Sequence, residues 1–365
     1  MKTPNEKKLR INGHSHLLPY PEEIPKFMKD KRIFWIDKDR KFIRQKNWSR
    51  PITDHSAFLN EKIEWMEHHA IDHAAILTLS QFYGNGLHPE EIKKALRFQN
   101  NFNAGIQHKH PSKFTCGFVV HPSLIRGACR EIERCVKELE MRLLCLPTHY
   151  TDTTGAWHCI FNKENEPIFE LASQYNLAVE IHPYDGEKFI QLENISWRFH
   201  LIWMLAQCAD AYHFFTLNGY QDQFPNMRVC FAHGGQLAQT NLGRRIQGFN
   251  GRPDLFSKKH HPSKAIGHKN IFFDTLIHDT DSLNLLIKKQ GSKQILSGLD
   301  DPYPLGEMES EPQSSYPGKT LDLALKKGII TQKEHGEIWK DNVLQWLFGE
   351  DEKRKKTLVA TILNQ

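Results

Sequence analysis

The segment Leu9-Arg10-Ile11-Asn12 runs directly into Gly13-His14-Ser15-His16. In an extended strand alternate side chains share a face, so His14 and His16 offer two imidazole nitrogens to the same point. Neutral imidazole suits zinc, copper, iron and nickel, and two nitrogens leave a shell unfilled, so further His, Asp, Glu or Cys must come from elsewhere. With 21 histidines in the chain, an H-x-H pair also arises by chance. Three later apolar runs break that tie, because they end in Ile181-His182-Pro183, Phe231-Ala232-His233-Gly234-Gly235 and Leu299-Asp300-Asp301-Pro302. His14, His16, His182 and the carboxylate of Asp300 make up a mononuclear ligand set. His233 is then free to move a proton to or from the metal-bound water, the alternative being a fourth His ligand. Asp300 is expected to hold the ion on one oxygen and its water on the other, and Asp301 to cap the following turn.

These residues need a scaffold that gathers strand ends. Strands are expected at Ala74–Ser80, Phe114–Val120, Arg142–Thr148, Ala178–His182, Arg228–His233, Ile271–Asp274 and Gln294–Asp300, each followed by apolar residues at helical spacing. With the His14/His16 strand that makes eight strand-helix units, from the helix Leu59–Ala70 to the helix Gly318–Lys327, with extra C-terminal helices after them. The pattern predicts an α/β fold, a (β/α)8 TIM barrel, with its site at the carboxyl ends of the strands. Residues 17–52 read as a lid or insertion carrying a β-hairpin, Arg32–Ile36 and Arg40–Arg44, around the turn Asp37-Lys38-Asp39. The expected layout is a charged tail at 1–8, the barrel at 9–349 and a tail or helix at 350–365. The segments 149–163, 185–196, 250–269 and 301–316 are the least regular, and barrel loops of that length build or cover pockets.

Composition narrows the function. The 365 residues carry a formal net charge of +5 with bases and acids interspersed, which excludes the dense basic footprint of a nucleic-acid binder. No apolar run approaches a membrane span and no apolar stretch follows the N-terminal charges, so the chain reads as cytoplasmic. Its seven cysteines form no C-x-x-C pair and mostly lie inside apolar segments, which points to buried free thiols. Leu146-Pro147-Thr148-His149 offers no lysine to bridge two metals as a carbamate. One ion per subunit, with zinc as the first candidate, is the reading that follows, and His149 reads as a surface loop residue, the alternative being a ligand or substrate contact.

Several longer motifs are shared with a known family. His14-Ser15-His16-Leu17-Leu18-Pro19, Val229 to Gly235, Gly243-Arg244, Gly248-Phe249 with Arg252-Pro253-Asp254-Leu255, Asp274 to Asp279, and Asp300 through Pro304-Leu305-Gly306-Glu307 occur in order over Ile11 to Gly349. Together they resemble the 2-amino-3-carboxymuconate-6-semialdehyde decarboxylase family, in the decarboxylase branch of the amidohydrolase superfamily. The resemblance implies a mononuclear Zn2+ site on His14, His16, His182 and Asp300, with His233 as acid/base. It implies O2-independent loss of CO2 from a small-molecule carboxylate of tryptophan (kynurenine-type) or nitroaromatic catabolism. It further implies Arg44 as a lid arginine on the substrate carboxylate, Arg244 donated across a homodimer interface, Arg252 beside it, and Trp203 near the active site. Guanidinium suits a dicarboxylate because its planar fork binds carboxylate bidentately. The alternatives on the same scaffold are decarboxylation of another aromatic acid and hydrolysis of a lactone or amide. Asn12 and Gly13 depart from the family pattern, which has an acid and an apolar residue there, and loops 150–163 and 185–200 diverge.

Overall fold

The computed structural model describes residues 8–46, 48–84, 86–183, 195–256, 259–310 and 314–364. In chain order the strands are β1 (Ile11–His16), β2 (Trp35–Ile36), β3 (Phe42–Gln45), β4 (Trp48–Pro51), β5 (His73–Leu77), β6 (Phe114–Val119), β7 (Leu143–Pro147), β8 (His149–Thr151), β9 (Trp157–Cys159), β10 (Ala178–His182), β11 (Arg228–Phe231), β12 (Ile271–Asp274) and β13 (Ile295–Leu296). Eight of them pair in parallel in the order β1-β5-β6-β7-β10-β11-β12-β13. The last meets the first: Gly13 N donates to Ser297 O at 2.8 Å, Asp300 N to His14 O at 2.8 Å and His16 N to Asp301 O at 2.8 Å. The sheet is therefore a closed (β/α)8 barrel, as the alternation of strand and helix patterns predicts. The strands are almost wholly buried because helices cover one face and barrel side chains fill the other.

β1 can approach β13 this closely because position 13 has no side chain. A Cβ there would meet Leu296 Cδ1 at 2.5 Å and Ser297 O at 2.7 Å. Asn12 completes the seam, its Nδ2 donating to Asp301 Oδ1 at 2.7 Å while its Oδ1 accepts from His14 N and Leu299 N, both at 3.1 Å. The two residues that depart from the family pattern thus fasten the first strand to the last. Asp301 does not cap a turn, as the sequence suggests. It is fully buried and pairs with Lys62 from the helix Leu59–His68, and its Oδ2 also accepts from Ser15 Oγ at 2.7 Å. Removing one partner of such a pair strands a buried charge and costs about 3–5 kcal/mol.

The opposite end of the barrel is plugged by the helix Asn342–Phe348, whose Val343, Leu344 and Trp346 pack with Leu9, Ile11, Ala178 and Phe272. Arg228 ties the plug to β11 through Trp346 O at 2.6 Å and Leu347 O at 3.1 Å. A last helix runs from Glu352 to Leu363. The tail 1–8, apart from Lys8, and residues 184–194 of the divergent loop lie outside the described residues.

The 17–52 insertion is more than a hairpin. β2, β3 and β4 form a three-stranded antiparallel sheet, and the third strand follows a turn that the sequence reading leaves unassigned. Its pairing places Ile36 opposite Ile43 and Ile43 opposite Arg50, while Trp35, Arg44 and Ser49 form the other row. Directly opposed residues share a face, so Arg50 lies on the inward face with the buried Ile36 and Ile43, and Arg44 lies on the outward one.

Candidate metal centre and cavity

β1 delivers His14 and His16, β10 ends on His182, and Asp300 follows β13, so all four sit at the carboxyl rim of the barrel. One ligand atom from each lies within 4.8 Å of the others, and all four residues are buried. His14 Nε2 is 3.1 Å from His16 Nε2, and Asp300 Oδ1 is 3.4 Å and 3.1 Å from these two nitrogens. Neighbouring groups fix how the rings present themselves. His14 Nδ1 is 2.7 Å from Asp274 Oδ2, and His182 Nδ1 is 2.7 Å from Pro183 O, contacts that place the proton on Nδ1 and turn both Nε2 lone pairs to the centre. His182 Nε2 has no hydrogen-bond partner among the described residues. Two imidazole lone pairs and a carboxylate converging at about 3 Å repel one another unless a cation lies between them, so the residues present fit a divalent metal ion.

Asp274 has no role in the sequence reading, although it ends β12 at the same rim. Its Oδ2 accepts from His14 and from the His233 backbone N at 3.0 Å, and its Oδ1 accepts from Gly234 N at 2.8 Å and Leu276 N at 3.1 Å. One carboxylate therefore orients a ligand ring and the turn carrying His233. The signal available in the sequence is a strand that closes on an acid in register with the other strand ends. The neighbouring acids Asp274 and Asp300 raise His14's proton affinity against its burial, whereas burial wins at His16 and His182 and lowers theirs.

His233, Gly234 and Gly235 have φ of 57°, 64° and 52°, three consecutive left-handed residues. Glycine is required at 234, where a Cβ would meet Ile277 Cγ1 at 2.5 Å. The turn brings the His233 ring within 5.0 Å of that of His182 and its Nε2 to 3.8 Å from Asp300 Oδ2. Burial pushes the His233 pKa down to about 4, so the metal-free ring is a neutral base through the physiological range. Asp300 (φ 53°) and His278 (φ 69°) are also left-handed. Strain of this kind, of order 1–3 kcal/mol per residue, concentrates where function demands a direction.

A cavity opens over these groups. His182, His233 and Asp300 form its floor, Leu201, Met204, Leu276, Ile277 and Leu305 line its walls, and its further polar groups include Arg50, Ser80, His200, Gln236 and His278. The guanidinium of Arg50 stacks 4.0 Å above the Tyr303 ring, which itself lies 4.8 Å from that of His16. Arg50 has no carboxylate partner among the described residues. Arg44, by contrast, is held by Asp37 at 2.6–2.9 Å and does not line the cavity. Trp203 is likewise not among the lining residues, since the π-helical turn Phe199–Trp203 presents His200 and Leu201 instead, beside Trp197. Arg244 is exposed on a separate groove with Asn241, and Arg252 is exposed and paired with Asp254 at 2.8 Å. The structure brings together His14, His16, His182, His233 and Asp300, and leaves Arg44, Arg244, Arg252 and Trp203 outside the cavity of a single protomer.

No described helix is long and apolar enough to cross a membrane. A 2-amino-3-carboxymuconate-6-semialdehyde decarboxylase of Dictyostelium discoideum is 26% identical over 348 residues, covering 92% of this chain and 89% of the relative. The Caenorhabditis elegans protein of the same name is 33% identical over 141 residues, 38% of this chain and 35% of the relative. In fold, the chain is similar to a dihydroxybenzoic acid decarboxylase from Polaromonas sp. JS666, solved with manganese and the inhibitor 2-nitroresorcinol (TM-score 0.71, 16% identity, 95% of this chain and 98% of that one). Residues 72–330 match the amidohydrolase family, and with a closed barrel and a His/His/His/Asp cluster at its rim the chain belongs to that family.

Proposed function

We propose that the protein is a metal-dependent, non-oxidative decarboxylase of 2-amino-3-carboxymuconate 6-semialdehyde or a close analogue. The observation that carries the reading is the guanidinium of Arg50, without a carboxylate partner among the described residues, lining the same cavity as a buried His/Asp metal cluster. The Dictyostelium relative's name and its near-complete coverage support the substrate class. The donor set favours zinc through its three imidazoles, and the manganese of the Polaromonas protein makes manganese the alternative.

His14, His16, His182 and Asp300 would hold the ion, which when bound supplies Lewis acidity and a fixed positive charge. Arg50 binds a carboxylate of the substrate, its charge little screened between Tyr303 and the apolar wall. Leu276, Ile277 and Leu305 exclude water, which strengthens each of these interactions. The carbon–carbon bond to the departing carboxylate breaks, its electron pair stays on the substrate carbon and spreads into the conjugated system, and that carbon takes up a proton as CO2 leaves. His233 Nε2 is the group placed to hold and deliver the proton, and Asp274 keeps the His233 turn in position.

The proposal extends to a homodimer in which Arg244 of one subunit reaches the partner's cavity, which accounts for its exposed position away from its own. It extends also to a cytoplasmic location, since all seven cysteines are free thiols. The test is metal-loaded protein given freshly generated semialdehyde, with absorbance and released CO2 followed together. Loss of the chromophore with one CO2 per turnover is expected. Release of a titratable acid without CO2 from a lactone or amide substrate would favour hydrolysis instead.

A further inference from the structure

A second set of metal-ligating side chains converges outside the cavity. β8 and β9 form a hairpin directly after β7, and its register sets His149 opposite Cys159. Opposed residues of an antiparallel pair have Cβ atoms about 4.5–5.5 Å apart on one face. The helix Met204–Asn218 packs against this hairpin and brings Asp210, whose Oδ2 is 2.9 Å from His149 Nε2. One donor atom from each of His149, Cys159 and Asp210 lies within 4.8 Å of the other two. Ligands about 2.0–2.3 Å from a tetrahedral zinc ion are roughly 3.3–3.8 Å apart, so small side-chain adjustments close the gap.

The surroundings suit a bound ion. Trp157 stacks on His149 with ring centroids 5.3 Å apart and planes 5° apart, which fixes the imidazole plane. The Asp210 side chain is 44% exposed and lines the groove between its helix and Leu242–Gly251, giving an ion a way in. Of the two arginines on that groove, Arg245 is engaged by Ala238 O at 2.8 Å and by the Tyr212 ring. Burial pushes the Cys159 thiol up to about 12, which argues against a nucleophilic cysteine, whereas a thiol that coordinates a cation gives up its proton to solvent.

We propose that His149, Cys159 and Asp210 bind a second, thiophilic divalent cation of the zinc class that clips the β8–β9 hairpin onto the helix Met204–Asn218. Three protein ligands leave the fourth position to water. The same helix supplies Met204 to the cavity, so the clip braces that wall from behind.

The experiment uses the full-length chain, stripped by chelation and titrated with Co2+, with metal content and absorbance read together. Two equivalents per chain and a near-ultraviolet thiolate-to-cobalt charge-transfer band are expected. Cys159→Ser should take up one equivalent without the band, and Asp210→Asn should weaken the second equivalent at least tenfold. The second equivalent should raise the Tm of the unaltered chain and not that of Cys159→Ser. The rim cluster contains no sulfur, so the band reports this site whatever becomes of the first, and it should persist in Asp300→Ala. A single equivalent without the band in the unaltered chain, or a band that survives Cys159→Ser, overturns the proposal. Should Cys159→Ser fail to fold, an Asp210→Asn chain that binds the second equivalent as tightly as the unaltered one also overturns it.

Discussion

The barrel rim and the lid sheet both present polar side chains to one cavity, but they fix those side chains in different ways. At the rim, each functional group sits where a parallel strand ends, and backbone bonds such as Asp300 N to His14 O hold those ends together. Direction follows from the closure of the barrel. In the lid, direction follows from the register of three short antiparallel strands, and a shift of one residue exchanges the cavity face for solvent. The lesson is that a rim residue is placed by topology and a lid residue by local alternation, so the rim should tolerate no substitution and the lid should discriminate sharply between neighbours.

The largest expected effect is at the rim. Asp300→Ala removes the one carboxylate of the ligand set, so the rim equivalent of metal should be lost and turnover should fall to background, as read by metal analysis beside the CO2 assay. A variant that keeps its ion would break the assignment of Asp300. Next, His233→Ala should retain one ion at the rim and lose about 10²–10⁴-fold in kcat, the usual range for a positioned acid or base. An unchanged rate would remove the acid/base role. In the lid, Arg50→Ala should raise KM by about 10–100-fold, the range of a charge-assisted contact worth roughly 1.5–3 kcal/mol. Arg44→Ala should stay within about threefold, because it breaks only a surface pair with Asp37. Equal effects at the two arginines would erase the distinction between the lid faces. The smallest signal comes from mixing two inactive variants, Arg244→Ala and His233→Ala. If Arg244 crosses a dimer interface, random re-pairing should restore about one quarter of full activity, and no recovery would confine Arg244 to its own surface.

This contrast also explains what the sequence made legible. Strand ends are marked by residue type, so Ala178–His182 and Ile271–Asp274 match the structure residue for residue, and His14, His16, His182 and Asp300 could be gathered without coordinates. The last barrel strand shortens to Ile295–Leu296, because its continuation pairs with β1 through single bonds rather than a regular ladder. Arg44 is singled out by the resemblance, yet the adjacent apolar Ile43 already marks the inward row. Arg50 was missed because a strand of only four residues containing Pro51 leaves little periodicity to detect. Trp203 rests on the resemblance alone, and the π turn Phe199–Trp203 leaves it outside the cavity lining. Asn12 and Gly13 read as weakening departures, and only the close seam between first and last strand reveals them as fasteners.

The left-handed backbone at His233, Asp300 and His278 carries a practical warning for anyone improving this enzyme by selection for heat tolerance. At such positions glycine relaxes the chain, so a screen that rewards survival alone will drift toward replacing His233 and Asp300, the residues proposed to carry the proton and hold the metal, enriching sturdier proteins that no longer turn over. Libraries for thermostability should hold those codons constant and spend their diversity on the plugged end of the barrel.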